Sequence, residues 1–505
     1  MALLHPAAHN DPEMNSPKIP HKVYGHTGIV EPGSKVETIS LDYYDLGSST
    51  SSVSESTEKG LQSEPPSPPP LPNKRGSSLT RYLSYTLFSV YRKMFAAIFT
   101  INLIAFIAFV AINNGSPTLT NVKNATSANL LASILMRQEN AVNLVYEIFT
   151  CVPLSTPLII RRKLAKVFHY GGVHSGCGVA AVVWFILYMA LATKEFAHKP
   201  THGLAIANII TCYLLVTMFL LILGGAHPRF RVMFHDYFEA IHRFAGWTAL
   251  IILWSQTFIV AELTRKKSGI SLGFTIVRAP SFWFLLITTI FTFLSWSQLR
   301  QREVFPETLS DHATRLHFKY RNMKPFYGLK LSDRPLLEWH AFATIPDADG
   351  QGFSVVVSNA GDWTNRQIQN PPKKLWTRGY PMHGLLYTTR LFRRIVLVAT
   401  GSGIGPCLSL MYCNKTPRRI LWSTPNPETT YGVGIVETVC KADPQAVIWN
   451  TRENGRPDMV ALTYSLFVEF NAEAVFVISN PKLTRKIVYG MESRGIVAYG
   501  AIFDS

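Results

Sequence analysis

Six apolar stretches dominate the first three-fifths of this chain: Met94–Ile112, Ala141–Ile160, Val173–Leu191, Gly203–Leu223, Phe244–Val260 and Ser281–Trp296. Each runs about 16 to 21 residues, enough to cross a hydrocarbon layer of roughly 30 Å as a helix. A helix pairs its own backbone groups, as a segment in lipid must. The pattern predicts an α-helical membrane domain of about six spans over residues 81–300. The second stretch fits least well, because it carries Glu147, Pro153 and Pro157.

Basic residues orient the spans. Arg92 and Lys93, then Arg161, Arg162, Lys163 and Lys166, then Arg229 and Arg231, then Arg300 and Arg302 all fall on one side. That side is predicted to be cytosolic, with both termini on it, in the plasma membrane or another membrane of the secretory pathway. Arg265, Lys266 and Lys267 run against the rule. Asn124-Ala125-Thr126, a glycosylation acceptor triplet, falls in the predicted first outer loop.

Only 16% of the residues are charged, and the net charge is +17. Because the Lys and Arg residues cluster between apolar segments, the expected partner is the anionic inner leaflet of a lipid bilayer, not nucleic acid. The six cysteines are scattered and form no CxxC pair, so neither a disulfide framework nor a zinc site is expected. The first 20 residues lack an apolar core, so no cleavable signal peptide is expected. Residues 1–80, rich in Ser and Pro through SSTSSVSESTEKG and EPPSPPPLPNK, read as a disordered cytosolic tail.

Beyond residue 300 the pattern changes to short β-rich runs, such as Gly352–Ser358, over residues 301–390. Over 391–505 strands alternate with helical segments. Strands are predicted at Arg394–Ala399, Arg419–Trp422, Ala446–Trp449 and Ala474–Ile478, a helix at Lys482–Ser493, and a last extended segment at Gly495–Phe503. This is a β-rich module followed by a doubly wound α/β module. Between the first strand and its helix lies TGSGIGP. Gly401, Gly403 and Gly405 would let backbone approach a pyrophosphate at a helix N-terminus, followed by Pro406.

In the membrane region, His174 (HSGCG) and His242 (HRFAG) begin the third and fifth spans near the same end. Gly178 and Gly246 stand one helical turn on, sharing a face with each His. The arrangement suits a flat porphyrin, and an intramembrane His is a functional candidate by default.

A β module, then GSGIGP, then a closing aromatic resemble the ferredoxin-NADP reductase superfamily. The preceding helices make the chain resemble its ferric reductase and NADPH oxidase branch. Beyond residue 80 it is similar to the fungal TmpA-like membrane flavoproteins, through HRFAGW (242–247), EWHAFATIPD (338–347), NAGDWT (359–364), GSGIGP (401–406) and GRPDM (455–459). The resemblance implies FAD and NAD(P)H as cofactors. It implies His340 at the flavin pyrophosphate, Phe342 against the isoalloxazine and Thr344 as the nearby hydroxyl, one position late. It implies a flavin-phosphate loop over GYPMHG, from Gly379 to Gly384, a nucleotide phosphate contact from Arg456, and Phe503 covering the flavin. Ser479-Asn480-Pro481 stands where the superfamily has CGP. Two-haem members carry a second His about 13 residues along both helices. Here those positions are Leu187 and Ser255, so the expectation is a single b-type haem on His174 and His242.

Two functions follow as expectations. One is an oxidoreductase that takes hydride from cytosolic NAD(P)H to FAD and passes electrons to an unidentified acceptor. The other is a non-catalytic flavin- or nucleotide-binding membrane sensor or scaffold, as in fungal developmental signalling. A transporter is disfavoured, since paired intramembrane charges on broken helices are not evident.

Overall fold

The computed structural model describes residues 70–198, 203–347, 350–413 and 415–501. Most of the predicted tail and Phe503 lie outside these residues. Residues 70–80, expected to be disordered, are ordered against the C-terminal module. Arg75 N donates to Ser493 O at 2.7 Å, and Arg494 Nε donates to Pro72 O at 2.8 Å. An extended Pro-rich segment leaves its backbone groups free, and the end of a helix offers partners for them.

Among the described residues, five helices are long and apolar enough to cross a membrane: α1 (Val90–Ile112), α5 (Gly171–His198), α6 (Gly203–Gly225), α7 (His235–Ser268) and α8 (Pro280–Ser297). The second predicted span is not one helix. It divides into α3 (Glu139–Thr150) and α4 (Leu158–Leu164), with Pro153 and Pro157 in the break. The buried face of α3, including Val142 and Tyr146, packs on the β-rich module.

The helix beside α5 and α8 is instead α2 (Leu119–Leu135), a segment that reads as an outer loop. Its polar groups are satisfied inside the bundle. Asn129 Nδ2 donates to Asn102 Oδ1 at 2.9 Å, and Asn124 Oδ1 accepts from Ser281 N at 3.1 Å. The acceptor triplet is therefore helical, with its Asn side chain capping α8 and Thr126 buried; it is not a loop site.

The basic run after the second segment also has an unexpected place. Arg161 is buried and makes a two-pronged pair with Glu473, Nη1 to Oε2 at 2.8 Å and Nη2 to Oε1 at 3.1 Å. Arg162 donates to Glu473 O, and Lys166 pairs with Glu492. These charges join the helical part to the C-terminal module, although the orienting rule treats them as loop charges.

The β-rich module holds two four-stranded antiparallel sheets. One has the order β1 (Arg300–Glu303), β8 (Lys374–His383), β4 (Tyr327–Ser332), β5 (His340–Ala343). The other has the order β2 (Phe305–Ser310), β3 (Ala313–Phe318), β7 (Phe353–Ser358), β6 (Ile345–Pro346). Leu316, Phe318, Leu331, Phe353 and Val355 fill the space between them, and α9 (Asp362–Gln369) adds Trp363. The last module is a five-stranded sheet, ordered β11 (Val447–Asn450), β10 (Arg418–Thr424), β9 (Ile395–Thr400), β12 (Ala474–Ile478), β13 (Ala498–Gly500), with all neighbours parallel. Ile395 to Ala399 are fully buried, as a parallel strand covered on both faces requires. Each of the Ile, Val and Leu side chains in this run contributes about 2 kcal/mol of burial.

Candidate functional site

In the parallel sheet the chain starts at β9, steps out to β10 and β11, then returns across β9 to β12 and β13. The order reverses between β9 and β12, and open α/β sheets bind ligands at the carboxyl ends of the strands at such a point. The TGSGIGP segment leaves β9 there as a short 3₁₀ turn, Gly401–Gly403, leading into α10 (Ile404–Cys413). Facing it, Ser479-Asn480-Pro481 leaves β12 into α13 (Pro481–Glu492), and the Thr400 and Ser479 hydroxyls bond across the gap.

The three glycines do different jobs. Gly401 has φ +50°, where most side chains are strained. A Cβ on Gly403 would lie 2.1 Å from Ile478 O, so this glycine is required by the closeness of the two strands. On Gly405 it would make only an ordinary contact with Val356, at 3.4 Å. Pro406 sits in the first turn of α10, where a missing N–H costs nothing. Arg456 is exposed in the loop between β11 and α12 (Met459–Glu469), at the same edge of the sheet, and Asp458 caps α12.

Of the residues assigned to the flavin by resemblance, His340 and Phe342 share one face of β5. β5 pairs with β4 so that His340 and Phe342 lie opposite Leu331 and Leu329, on the core-facing side. His340 stacks on Trp363 at 4.3 Å, with its Nε2 3.2 Å from Glu338 Oε2. Phe342 packs toward the same Trp363. Thr344 is fully buried and donates to Tyr327 O at 2.9 Å, so its hydroxyl is committed within the sheet.

GYPMHG is also not a loop. Gly379 lies within β8 at φ +72°, with the Glu139 carboxylate where a Cβ would stand. Gly384 follows the strand, and its N–H donates to Phe326 O. This segment docks the β-rich module onto α3.

That docking creates a cluster the sequence reading did not assemble. The His383 ring lies between Tyr387, at 3.7 Å, and Tyr327, at 4.5 Å. Glu147 accepts from the Tyr387 hydroxyl at 2.6 Å and lies 3.3 Å from His383 Nε2. Burial lowers the His383 pKa, with Glu147 opposing it. A glutamate inside an apolar stretch was the available signal; its partners, more than 230 residues away, had none.

In the helices, the rings of His174 and His242 lie with centroids 6.2 Å apart and planes tilted by 54°. His174 Nδ1 is 2.9 Å from Ser133 O and Oγ of α2, leaving Nε2 as the ring nitrogen free to ligate. His242 Nδ1 is buried without a partner. The space expected beside the glycines is open at Gly246, but at Gly178 a Cβ would meet Ser133 Oγ at 3.5 Å. No group of three or more metal-ligating side chains occurs among the described residues. Arg243, next to His242, is tied to Glu239 at 3.1 Å and to the carbonyls of Leu336 and Leu337.

Comparison with known proteins adds relatives. Residues 385–505 match the C-terminal domain of adenylate-forming reductase 03009. The chain is 42% identical to adenylate-forming reductase 03009 of Coprinopsis cinerea, across 96% of its own length and 47% of that protein. It is 41% identical to adenylate-forming reductase 06235 of the same fungus, across 97% of its own length and again 47% of the relative. The chain thus spans about half the length of the curated relatives it matches. Among solved structures, full-length CYP116B46 from Tepidiphilus thermophilus aligns with a TM-score of 0.34 at 17% identity, over 40% of this chain and 28% of that one. Ferredoxin-NADP+ reductase from Plasmodium falciparum aligns with a TM-score of 0.31 at 12% identity, over 41% of this chain and 96% of that one.

Proposed function

We propose that this chain is the membrane-bound, NAD(P)H-oxidising flavoprotein part of a reductase. The observation that carries the reading is the glycine turn at the switch point of the parallel sheet, beside a two-sheet β module. In this reading the turn and the Ser479-Asn480-Pro481 segment receive the nicotinamide nucleotide, with Arg456 within the same edge for a phosphate. FAD, held by the neighbouring β-rich module, would accept the hydride, and the electron acceptor stays unspecified. The relatives' names couple adenylate formation with reduction. A flavin- and nicotinamide-binding segment suits the reducing half.

Membrane insertion is part of the proposal. The exposed side chains of Ile101, Ile104 and Ile107 on α1 are what a lipid-facing helix presents. With α2 as the sixth crossing, both ends of the helical part stay on the nucleotide side. Protease protection in sealed vesicles tests this; a shielded C-terminal module would overturn it.

The histidine pair fits one b-type haem. Two imidazoles sharing a metal through bonds of roughly 2 Å have centroids about 6 Å apart, close to the observed 6.2 Å. His174 and His242 would hold the iron through ring nitrogens, and a bound haem would supply one-electron transfer. Ser133 engages Nδ1 of His174, so Nε2 is the nitrogen that would hold the iron.

The absorbance spectrum of the purified full chain, before and after NAD(P)H, is the test. Flavin bands that bleach on addition support the reading, and no flavin in folded protein would overturn it. A second reading, a flavin-binding sensor, is favoured by the internally committed Thr344 hydroxyl and by Ser479 in place of a cysteine. Bound flavin that NAD(P)H leaves oxidised would select it.

A further inference from the structure

On the face of the β1-β8-β4-β5 sheet opposite its core, Lys330 of β4 stands directly across from Arg378 of β8. Like charges paired across strands destabilise a sheet, so such a pair needs compensation. Among the described residues no carboxylate lies within ion-pair distance of either side chain. Of the two acidic groups nearby, Glu239 pairs with Arg243, and Glu139 accepts from the neutral Ser295 Oγ, so one carboxylate is left against the charges of Lys330 and Arg378. Arg137 adds further positive charge.

Arg378 is held without an anion. Its guanidinium lies against both Trp296, at 4.4 Å, and Trp339, at 4.8 Å, and its Nε is buried with no partner. Among the described residues the Lys330 side chain makes no hydrogen bond. Burial, then Arg378, pushes its pKa down to about 8, with Arg137 acting the same way and Glu139 and Glu239 opposing. Around the pair the floor is small: Ala341 lies opposite Lys330, and Gly328 opposite Ala343. Lys330, Arg378 and Arg137 outnumber the one carboxylate not paired to a cation, Glu139, and this surplus of positive charge beside a flat floor describes a receptor whose remaining counter-charge comes from outside the chain.

We propose that Lys330 and Arg378 form a binding site for a phosphate-bearing anion where the β-rich module meets the helices. Two sources share this chemistry: the diphosphate of a flavin dinucleotide, which rests on the flavin reading above, and the headgroup of an anionic phospholipid.

The test uses the full chain in neutral detergent, stripped of flavin, with inorganic pyrophosphate as the probe. Thermal unfolding is followed for wild type, Lys330→Met and Lys330→Arg. Without anion, Lys330→Met should unfold at a higher temperature than wild type, since one of two repelling charges is gone. Pyrophosphate should stabilise wild type and Lys330→Arg by several degrees and leave Lys330→Met unmoved. A wild type indifferent to pyrophosphate, or a Met variant stabilised equally, would overturn the site.

Two arms then separate the sources. If the anion is the flavin's, FAD should bind Lys330→Met at least about tenfold more weakly while riboflavin binds both proteins alike. If it is a lipid's, nanodiscs containing phosphatidylglycerol should stabilise wild type over pure phosphatidylcholine, and Lys330→Met should lose that gain. If both responses are absent, the proposal is overturned. A pyrophosphate and lipid response in protein that takes up no flavin would sink the flavin reading and leave the anion site standing.

Discussion

The carboxyl edge of the parallel sheet and the junction between the helices and the C-terminal modules are built from opposite materials. At the sheet edge the work is done by backbone: Gly401 turns, Gly403 admits the neighbouring strand, and few charges are involved. At the junction it is done by side chains that come from distant parts of the chain: Arg161 with Glu473, Glu147 with His383, and Lys330 facing Arg378. A backbone-built site is written in consecutive residues and shows in sequence. A side-chain-built one exists only after folding.

This difference can be broken at several points. Gly403→Ala should have the largest effect. Its Cβ would fall on Ile478 O, forcing β9 and β12 apart at about 3 kcal/mol or more. Thermal unfolding should show it with or without nucleotide; a variant that folds normally but binds nucleotide poorly would show that the glycine serves the ligand instead.

Arg161→Ala comes next. It leaves Glu473 beside Arg393 N but removes a buried two-pronged partner, and breaking such a pair costs about 3 kcal/mol. Hydrogen exchange should rise at α4 and around Glu473 while the sheet interior stays protected. Unchanged exchange would mean that the junction is held by apolar contacts alone.

His169 supplies a pH dependence at the junction. Burial, helped by Lys166, holds its pKa at about 4, against an ordinary 6.5. The folded protein therefore binds fewer protons than the unfolded one. The sign is fixed: this stability is whole above pH 6.5 and declines as pH falls toward 4. His169→Gln should flatten the slope of unfolding free energy in that window, and a slope identical to wild type would remove His169 as its source.

The smallest effect belongs to Gly405→Ala. The added methyl meets Val356 at 3.4 Å within a helix, where Ala is favoured over Gly by about 1 kcal/mol. Stability should change by less than about 1 kcal/mol, and nucleotide titration should read the same as wild type. A large loss here would mean that a ligand does approach this glycine, and would move the nucleotide site toward α10.

The sequence alone determined what local chemistry can announce. Five long apolar helices among the described residues, and the strand at 395–400 with its glycine turn, are carried by continuous runs. Tertiary structure decided the rest. The polar helix α2 entered the bundle because Asn102 and Ser281 meet its asparagines, and hydropathy cannot see a polar group that will be satisfied by a distant one. The apolar segment around Glu147 left the row of spans because its prolines break it and His383 and Tyr387 receive its carboxylate. The same register that turned Phe342 inward set Lys330 opposite Arg378. A strand's alternation divides its residues into two faces, but which face meets the core is settled only when the sheets pack.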